Sequence, residues 1–215
     1  PMRKEQCIML SEFYGNTYQD WFSKHVRTIA FTGPRPKKLY GYQWNRQWQH
    51  LFAQLTALLQ FCASHGTAAF LSGGAQGFDT IAFDAVQQIK ADGCAVENKI
   101  YIPFPGQDAR WSQTGYFGQT QYHQRLAEAD AVIDVSARFG GRCTNAVAML
   151  MKRNEAMIDD ADLIIGLWNP SRDFLLEKGG TAAALRYAKA KGKPILFLNP
   201  DTLTCAIDIP ETERS

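Results

Sequence analysis

Short apolar runs alternate with amphipathic stretches along most of this chain, and this alternation predicts its secondary structure. The apolar runs predict six strands, at residues 28–32, 68–72, 99–104, 131–135, 163–168 and 194–198. Between them, apolar residues recur three and four positions apart, which predicts helices at 45–65, 80–91, 144–159 and 180–191 and a short helix that ends near 129. Strands joined by helices favour right-handed crossovers. We therefore expect a Rossmann-like, doubly wound α/β fold, with a mainly parallel sheet of about six or seven strands and helices on both faces.

The pattern also divides the chain. The helix at 45–65 is the clearest element, since its apolar positions form one stripe and Gly66 follows as an expected C-terminal cap. Residues 1–26 have no clear period but are rich in aromatic side chains, which predicts a packed N-terminal arm. We expect residues 27–200 to form one domain and 201–215 an irregular tail. The stripe of the 45–65 helix consists of Trp48, Leu51, Phe52, Leu55, Leu58, Leu59 and Cys62.

Composition narrows the class of protein. The 215 residues are 46% hydrophobic, which suffices for a full core. The net charge of +2 gives no electrostatic support for nucleic acid, so we do not expect nucleic acid as a partner. No apolar stretch reaches the ~18–20 residues that span a bilayer and no signal peptide opens the chain, so we expect a cytoplasmic protein that does not bind membranes.

Metal, cofactor and hydrolase motifs are missing from the sequence. Five cysteines stand singly, without C-x-x-C spacing, which predicts buried or free thiols in a reducing compartment rather than disulfides. The four histidines have no metal-ligand spacing, and no P-loop or G-x-S-x-G motif occurs. We therefore predict no metal and no cofactor. The cysteines are Cys7, Cys62, Cys94, Cys143 and Cys205.

The candidate binding site starts with two glycine-rich helix starts. In a sheet of this kind, ligands lie at the carboxyl ends of the strands. The motif SGGAQGFDT at residues 72–80 follows the second strand, and GGT at 179–181 follows the fifth. Free backbone N–H groups at such starts attract anions, and two of them facing one crevice predict a phosphate site. Asp79 either caps its helix or bonds a ribose hydroxyl, and Thr181 either caps or bonds phosphate. The predicted ligand-binding residues here are Ser72, Gly73, Gly74, Gly77, Asp79, Gly179, Gly180 and Thr181.

Other strand ends add cationic and aromatic side chains. Arg35, in the turn TGPRP that follows the first strand, suits phosphate recognition, the alternative being a solvated surface turn. Arg110 and Trp111 form either a clamp for a base or the edge of the core. Arg153 lies on the helix at 144–159, and the neighbouring Asn154 points to the adjoining face. The predicted ligand-binding residues of this group are Thr32, Gly33, Arg35, Gln107, Arg110, Trp111, Arg153 and Asn154.

With these residues in hand, the chain resembles the SLOG superfamily, and within it the YpsA-like branch. The motifs occur in order: TGPRP at 32–36, SGGAQGFDT at 72–80, IPFPGQDARW at 102–111, ADAV at 129–132, RNEAMIDDADLII at 153–165 and GGT at 179–181. The resemblance implies a Rossmann-like domain that binds nucleotides or nucleotide-derived ligands, and a homodimer. Similar proteins include the LOG phosphoribohydrolases, ligand-sensing domains of antiviral systems, and the DprA proteins, which bind single-stranded DNA.

The resemblance leaves three functions open. Arg153 matches an arginine of the LOG enzymes, but Ala182, Ala183 and Ala184 stand where they carry a glutamate. The first hypothesis is therefore a sensor or sequestering protein for a nucleotide or nucleotide-derived signal. The second is an N-glycosidic-bond hydrolase with Arg153, Asp79 or Asp159 as catalytic candidates. The third is DprA-like binding of single-stranded DNA.

Overall fold

The structure, a computed structural model, describes residues 16–141 and 145–210. Its helices are α1 (Asn16–His25), α2 (Arg46–Ser64), α3 (Phe78–Ala91), α4 (Gln119–Glu128), α5 (Ala146–Asp159) and α6 (Gly180–Ala190). Its strands are β1 (Thr28–Thr32), β2 (Ala69–Ser72), β3 (Glu97–Ile102), β4 (Ala131–Asp134), β5 (Leu163–Leu167), β6 (Ile195–Leu198) and β7 (Cys205–Asp208). Two short 3-10 helices, Pro36–Lys38 and Val135–Phe139, follow β1 and β4.

The seven strands form one sheet in the order β4-β3-β2-β1-β5-β6-β7. All neighbouring pairs are parallel except β6 and β7. The chain moves outward from β1 to β4 on one side, then returns to β5 on the other side of β1. The predicted Rossmann-like α/β fold is thus confirmed, and its topological switch point lies between β1 and β5.

Helices cover both faces of the sheet. One core combines side chains of α1, α2 and α3 with Ile29 and Phe31 of β1. The core of the other face combines α5 and α6 with Ala30 of the same strand. Because successive residues of a strand point to opposite faces, β1 supplies both cores and is the centre of the molecule. The predicted stripe of α2 is buried except for Phe52, which is partly exposed.

Two terminal segments differ from the predictions. The tail is not irregular throughout, since β7 pairs antiparallel with β6 and buries Cys205. At the other end, residues 16–25 are helical, and Phe22 lies in the core against Phe61. The predictions for Cys7, Phe13, Tyr14 and Cys143 fall on residues 1–15 and 142–144, outside the described residues.

Three thiols lie in the described part of the chain, and all are free. Cys62 and Cys205 are buried, whereas Cys94 is half-buried. Burial raises the pKa of Cys62 far above its ordinary value, so this thiol stays protonated and inert. Within residues 16–141 and 145–210, none of the helices is both long enough and apolar enough to cross a bilayer.

Candidate functional site

The turns that follow β1 and β2 pack directly on each other. Gly77 has φ +97°, and a Cβ there would lie 2.5 Å from the carbonyl oxygen of Pro34. Gly33 is equally constrained, because a Cβ on it would meet the ring of Phe78 at 2.5 Å. The Phe78 N–H also donates to the Pro34 oxygen at 3.3 Å. These two predicted site glycines therefore permit close contact between the turns, whatever they contribute to a ligand.

Arg153 reaches this edge from the other face of the sheet. Its helix, α5, packs on the face opposite α3, yet its guanidinium lies over Gly73 at the end of β2. A Cβ on Gly73 would lie 1.1 Å from Nη1 of Arg153, so the arginine occupies space that only glycine leaves free. Arg153 is buried, with 4% of the residue exposed to solvent. The structure thus joins two predicted site residues, 80 positions apart in the chain.

Asp79 holds Arg153 in this position. The Arg153 Nη1 donates to Oδ2 of Asp79 at 3.2 Å, and the backbone N–H of Ala75 donates to the same oxygen at 3.3 Å. Asp79 is itself buried in the first turn of α3. The sequence predicted that Asp79 either caps its helix or bonds a ribose hydroxyl. In the structure its carboxylate accepts hydrogen bonds from the turn before α3, through Ala75, and from Arg153. Nε of Arg153 is buried and has no hydrogen-bond partner in the described residues.

Positive charge accumulates around Arg153. Burial lowers the pKa of Arg153, and the positive charge of Arg35 lowers it further, while Asp79 opposes both effects. An arginine nevertheless stays protonated in a protein, so the charge persists. Arg35 is half-buried and forms no ion pair with any described residue. An anion would relieve the repulsion between the two arginines.

Lys38 adds a third cation, which was not among the predicted site residues. It lies at the end of the 3-10 helix that follows β1, and its Nζ is 3.7 Å from a Cβ placed on Gly179. The loop after β1 therefore lies between the two glycine-rich helix starts: Gly77 packs on it, and the ammonium group of Lys38 comes near Gly179. The pair of lysines directly after Pro36, in the same loop as Arg35, was the available sequence signal.

The start of α6 carries no side-chain cap. Gly179 has φ +120° and lies at the N-cap position without a capping hydrogen bond. A Cβ on Gly180 would meet no atom within 4 Å, and Thr181 is half-buried. The first N–H groups of α6 therefore have no side-chain cap and are accessible to an anion, whose binding there stays a prediction.

The loop after β3 closes over the first glycine turn. The Gln107 amide donates to the Tyr122 hydroxyl at 2.8 Å and lies beside Gly74, which has φ +59°. Trp111 packs edge-on against Tyr122 at 5.0 Å between ring centroids, and Arg110 is exposed. Trp111 thus forms the edge of a small core rather than a clamp with Arg110. The cavity beneath this loop has about 10 Å³, room for a single water and too small for a base.

Two predicted residues lie away from this edge. Asp159 is at the C-terminal end of α5, just before β5 begins, and there it bonds the Tyr187 hydroxyl and pairs with Lys191. Asp159 therefore lies near the amino ends of the strands, away from the candidate site. Its prediction as a catalytic candidate is corrected. Asn154 lines a groove of about 340 Å³ between α5 and α6, with Ala183 from the first turn of α6, instead of joining Arg153.

These features define a class of protein: a doubly wound α/β domain with two glycine-rich helix starts and a cluster of cations at its switch point. A sequence model of the YspA SLOG family (YpsA) matches residues 29–203, and the chain belongs to this family. The chain is 32% identical over 141 residues to the uncharacterized SPbeta prophage-derived protein YoqJ of Bacillus subtilis (strain 168), covering 61% of this chain and 77% of that one. It is 27% identical over 191 residues to UPF0398 protein ABC2016 of Shouchella clausii (strain KSM-K16), covering 88% and 92%.

A solved structure corrects one prediction. The chain is similar to DNA processing protein A from Helicobacter pylori, described for its single-stranded DNA binding mode, with a TM-score of 0.49 and 19% identity. The match covers 82% of this chain and 66% of that one. We expected nucleic acid not to be a partner, from the near-neutral charge and the absence of an obvious basic stripe, and a neighbour described as binding single-stranded DNA stands against that expectation. The likeness itself assigns no ligand to this chain.

Proposed function

We propose that this protein binds a nucleotide or nucleotide-derived ligand, with the phosphate at the carboxyl edge of the sheet between the starts of α3 and α6. Its function is that of a sensor or a sequestering protein. The proposal covers the residues that meet at this edge, which are Thr32, Gly33, Arg35, Lys38, Ser72, Gly73, Gly74, Asp79, Arg153, Gly179, Gly180 and Thr181.

The buried guanidinium of Arg153 carries the proposal. A buried charge is costly unless it is paired and fully hydrogen-bonded. Arg153 has a single carboxylate contact through Nη1, its Nε has no partner among the described residues, and Arg35 repels it. A phosphate group at this position would supply the missing acceptor and the missing negative charge.

Binding without hydrolysis is the form of the proposal that the side chains support. The first turn of α6 offers only methyl groups beyond Thr181, since Ala182 and Ala184 are buried and Ala183 lines the neighbouring groove. The Asp79 carboxylate is engaged by Arg153 and by the backbone N–H of Ala75, so it is not free to act as a general base. We therefore expect the ligand to leave intact.

The test is ligand-induced stabilisation combined with chromatography. AMP, GMP, NAD and cyclic AMP are each added to the protein, the melting temperature is measured, and the supernatant is analysed for free base. A ligand present at about 100 times its Kd stabilises by about 2.7 kcal/mol, which a thermal shift resolves. Stabilisation with intact ligand supports the proposal. Release of base at catalytic rates overturns the binding-only form, and the absence of any shift overturns the site.

Two variants assign the effect to this edge. Arg35→Gln removes a cation that has no ion pair with a described residue, and Arg153→Lys keeps a charge opposite Asp79 while removing Nε. Each should weaken ligand binding about tenfold or more, since hydrogen bonds to charged groups contribute about 1.5–3 kcal/mol. Arg138→Gln, at an exposed ion pair with Asp160, is the matched control and should bind like the wild type.

The homodimer stays a prediction of the family resemblance. Light scattering of the purified chain at several concentrations measures the mass directly. A mass of one chain at all concentrations would contradict the prediction.

A further inference from the structure

Positive charge is segregated along this chain although the whole is nearly neutral. The chain has 23 Lys and Arg against 21 Asp and Glu, yet no acidic residue occurs between Asp20 and Asp79. That acid-free stretch carries six basic residues, Lys24, Arg27, Arg35, Lys37, Lys38 and Arg46. Four of the six, Arg35, Lys37, Lys38 and Arg46, fall within twelve consecutive positions after β1, so the net charge conceals a locally cationic segment.

The cations of this stretch are also unpaired. Lys37, Lys38 and Arg46 are exposed, and none of them forms an ion pair with a described residue. Elsewhere most lysines and arginines have a carboxylate partner, as in the pairs of Lys90 with Asp130 and Lys152 with Glu155. The other such pairs among the described residues join Lys99 to Glu97, Arg125 to Asp84, Arg138 to Asp160, Arg153 to Asp79, Arg172 to Glu177, Lys189 to Asp208 and Lys191 to Asp159. Without local counter-charges, the surface around residues 37–46 attracts polyanions.

Aromatic rings are exposed in the same segment. Tyr42 is 50% exposed and Trp44 is 38% exposed, both unusual for large side chains. The indole of Trp44 stacks on the ring of Tyr116 at 4.2 Å between centroids, with an interplanar angle of 25°. Tyr116, in the loop after β3, therefore supports the flat indole ring of Trp44 from one side.

The segment is held in place by its own hydrogen bonds. The Asn45 amide donates to the carbonyl oxygen of Tyr40 at 2.8 Å and accepts from the N–H groups of Gln47 and Trp48. The Trp48 indole N–H donates to the carbonyl oxygen of Gly41 at 2.9 Å. A loop fixed in this way presents Tyr42 and Trp44 without a large ordering cost on binding.

We propose that this basic–aromatic loop, residues 37–46, binds single-stranded nucleic acid. The phosphates lie along Lys37, Lys38 and Arg46, and bases stack on Trp44 and Tyr42. An anionic membrane would also attract the cations, and its interface accepts Trp and Tyr, but this loop exposes no aliphatic side chain and no Phe that could enter the acyl region. The one aliphatic residue here, Leu39, is partly buried and packs on the core. The surface shares Lys38 with the nucleotide crevice but includes neither Arg153 nor the glycine turns, so it is tested at Lys37, Trp44 and Arg46, which lie outside that crevice.

Stacking is tested at Trp44. Fluorescence anisotropy measures binding of labelled oligo(dT) and oligo(U) of about 20 nucleotides, long enough for a site of ordinary size. Trp44→Ala should weaken binding about tenfold, and Trp44→Phe should restore most of it, since one stacked base contributes about 1–3 kcal/mol. Phe139→Ala, at a ring 53% exposed elsewhere on the molecule, is the control and should leave binding unchanged. If Trp44→Phe binds as weakly as Trp44→Ala, or if Trp44→Ala binds as well as wild type, the stacking proposal is overturned.

The cations are tested by the dependence of binding on salt. Lys37→Gln and Arg46→Gln should each weaken binding and reduce the log–log salt slope by about one phosphate contact, or about 0.7 for a single strand. Lys152→Gln, on α5 across the sheet, should change neither. A duplex of the same sequence that binds as tightly as the single strand contradicts the proposal, as does binding to phosphatidylserine vesicles without binding to either oligonucleotide. Arg153→Lys should retain oligonucleotide binding, so this result is separable from the fate of the nucleotide site.

Discussion

At the scale of residues, the arrangement of Gly73, Arg153 and Asp79 is the centre of the candidate site. Glycine at 73 is required by an arginine that arrives from the opposite face of the sheet, and not by backbone conformation, because its φ is not positive. The carboxylate of Asp79 fixes the guanidinium from the side of α3. Each of the three residues therefore depends on the other two.

Gly73→Ala tests this dependence. The new methyl group would lie where Nη1 of Arg153 now is, so we expect the guanidinium to be displaced and AMP binding to fall about tenfold or more. Isothermal titration calorimetry measures the affinity, and circular dichroism checks the fold. Arg138→Gln, at the exposed ion pair with Asp160, is the control and should bind AMP like the wild type. Unchanged affinity of Gly73→Ala would show that Arg153 does not contact the ligand.

The sequence predicted this site in part. Arg153, Gly73 and Asp79 were all singled out, because motifs and strand ends mark residue types that bind anions. The pairing of Asp79 with Arg153 was not predicted, because a single sequence does not show which side chains far apart in the chain lie close together in the fold. Asp159 was misplaced for a related reason: it follows Arg153 by six residues on one helix, which carries it to the other edge of the sheet.

At the scale of elements, two helices begin with asparagine caps that differ in surroundings. Asn45 accepts from two backbone N–H groups at the start of α2 and also donates to Tyr40, whereas Asn145 accepts from two at the start of α5 and has no donor contact with a described residue. We expect Asn45→Ala to cost about 1–2 kcal/mol in the free energy of unfolding and Asn145→Ala about 0.5–1 kcal/mol. Urea unfolding of both variants gives the comparison. Equal losses would mean that the bond to Tyr40 contributes nothing.

The last strand, β7, makes a second prediction at this scale. A chain that ends at Asn199 leaves β6 as an open edge and exposes the side chains that β7 covers. We expect its melting temperature to fall by about 5 °C or more and its aggregation to increase with concentration. A chain that ends at Pro210 retains β7 and is the control. Calorimetry and light scattering make the measurement, and equal melting temperatures would show that β7 is dispensable.

Elements were predicted well where their pattern was long. The stripe of α2 repeats over about four turns, and the runs of β1, β2, β5 and β6 are buried along almost their whole length. The strand β7 was missed because it has four residues, two of them half-exposed, and its pairing with β6 is a tertiary effect. Helix α1 was missed because its apolar face is short and depends on the core that Phe22 enters.

At the scale of the whole molecule, Asp130 ties together α3 and β3. Although burial opposes it, hydrogen bonds from the Lys90 ammonium and the Asn98 backbone N–H lower the pKa of Asp130 below its ordinary 3.8. A lowered folded-state pKa stabilises the fold above the unfolded-state value, and this stabilisation is lost as the pH falls through the folded-state pKa.

Because the pKa of Asp130 is lowered in the folded state, the effect of Asp130→Asn on stability should depend on pH. The variant should be less stable than the wild type at pH 7, and the difference should shrink as the pH falls below about 4, where the wild-type carboxylate also becomes protonated. Urea unfolding at a series of pH values measures both free energies. A difference that is independent of pH would show that the ionised carboxylate is not the source of the stabilisation.

The loop after β1 also bears on the kinetics of ligand binding. Gly77 packs on this loop and its Lys38 lies near Gly179, so the loop lies between the two sides of the crevice. No hinge has to close, so ligand association should be a single step whose observed rate rises linearly with ligand concentration. Stopped-flow fluorescence with a labelled nucleotide measures that rate. A plateau at high concentration would reveal a slow rearrangement and show that the crevice is assembled only as the ligand binds.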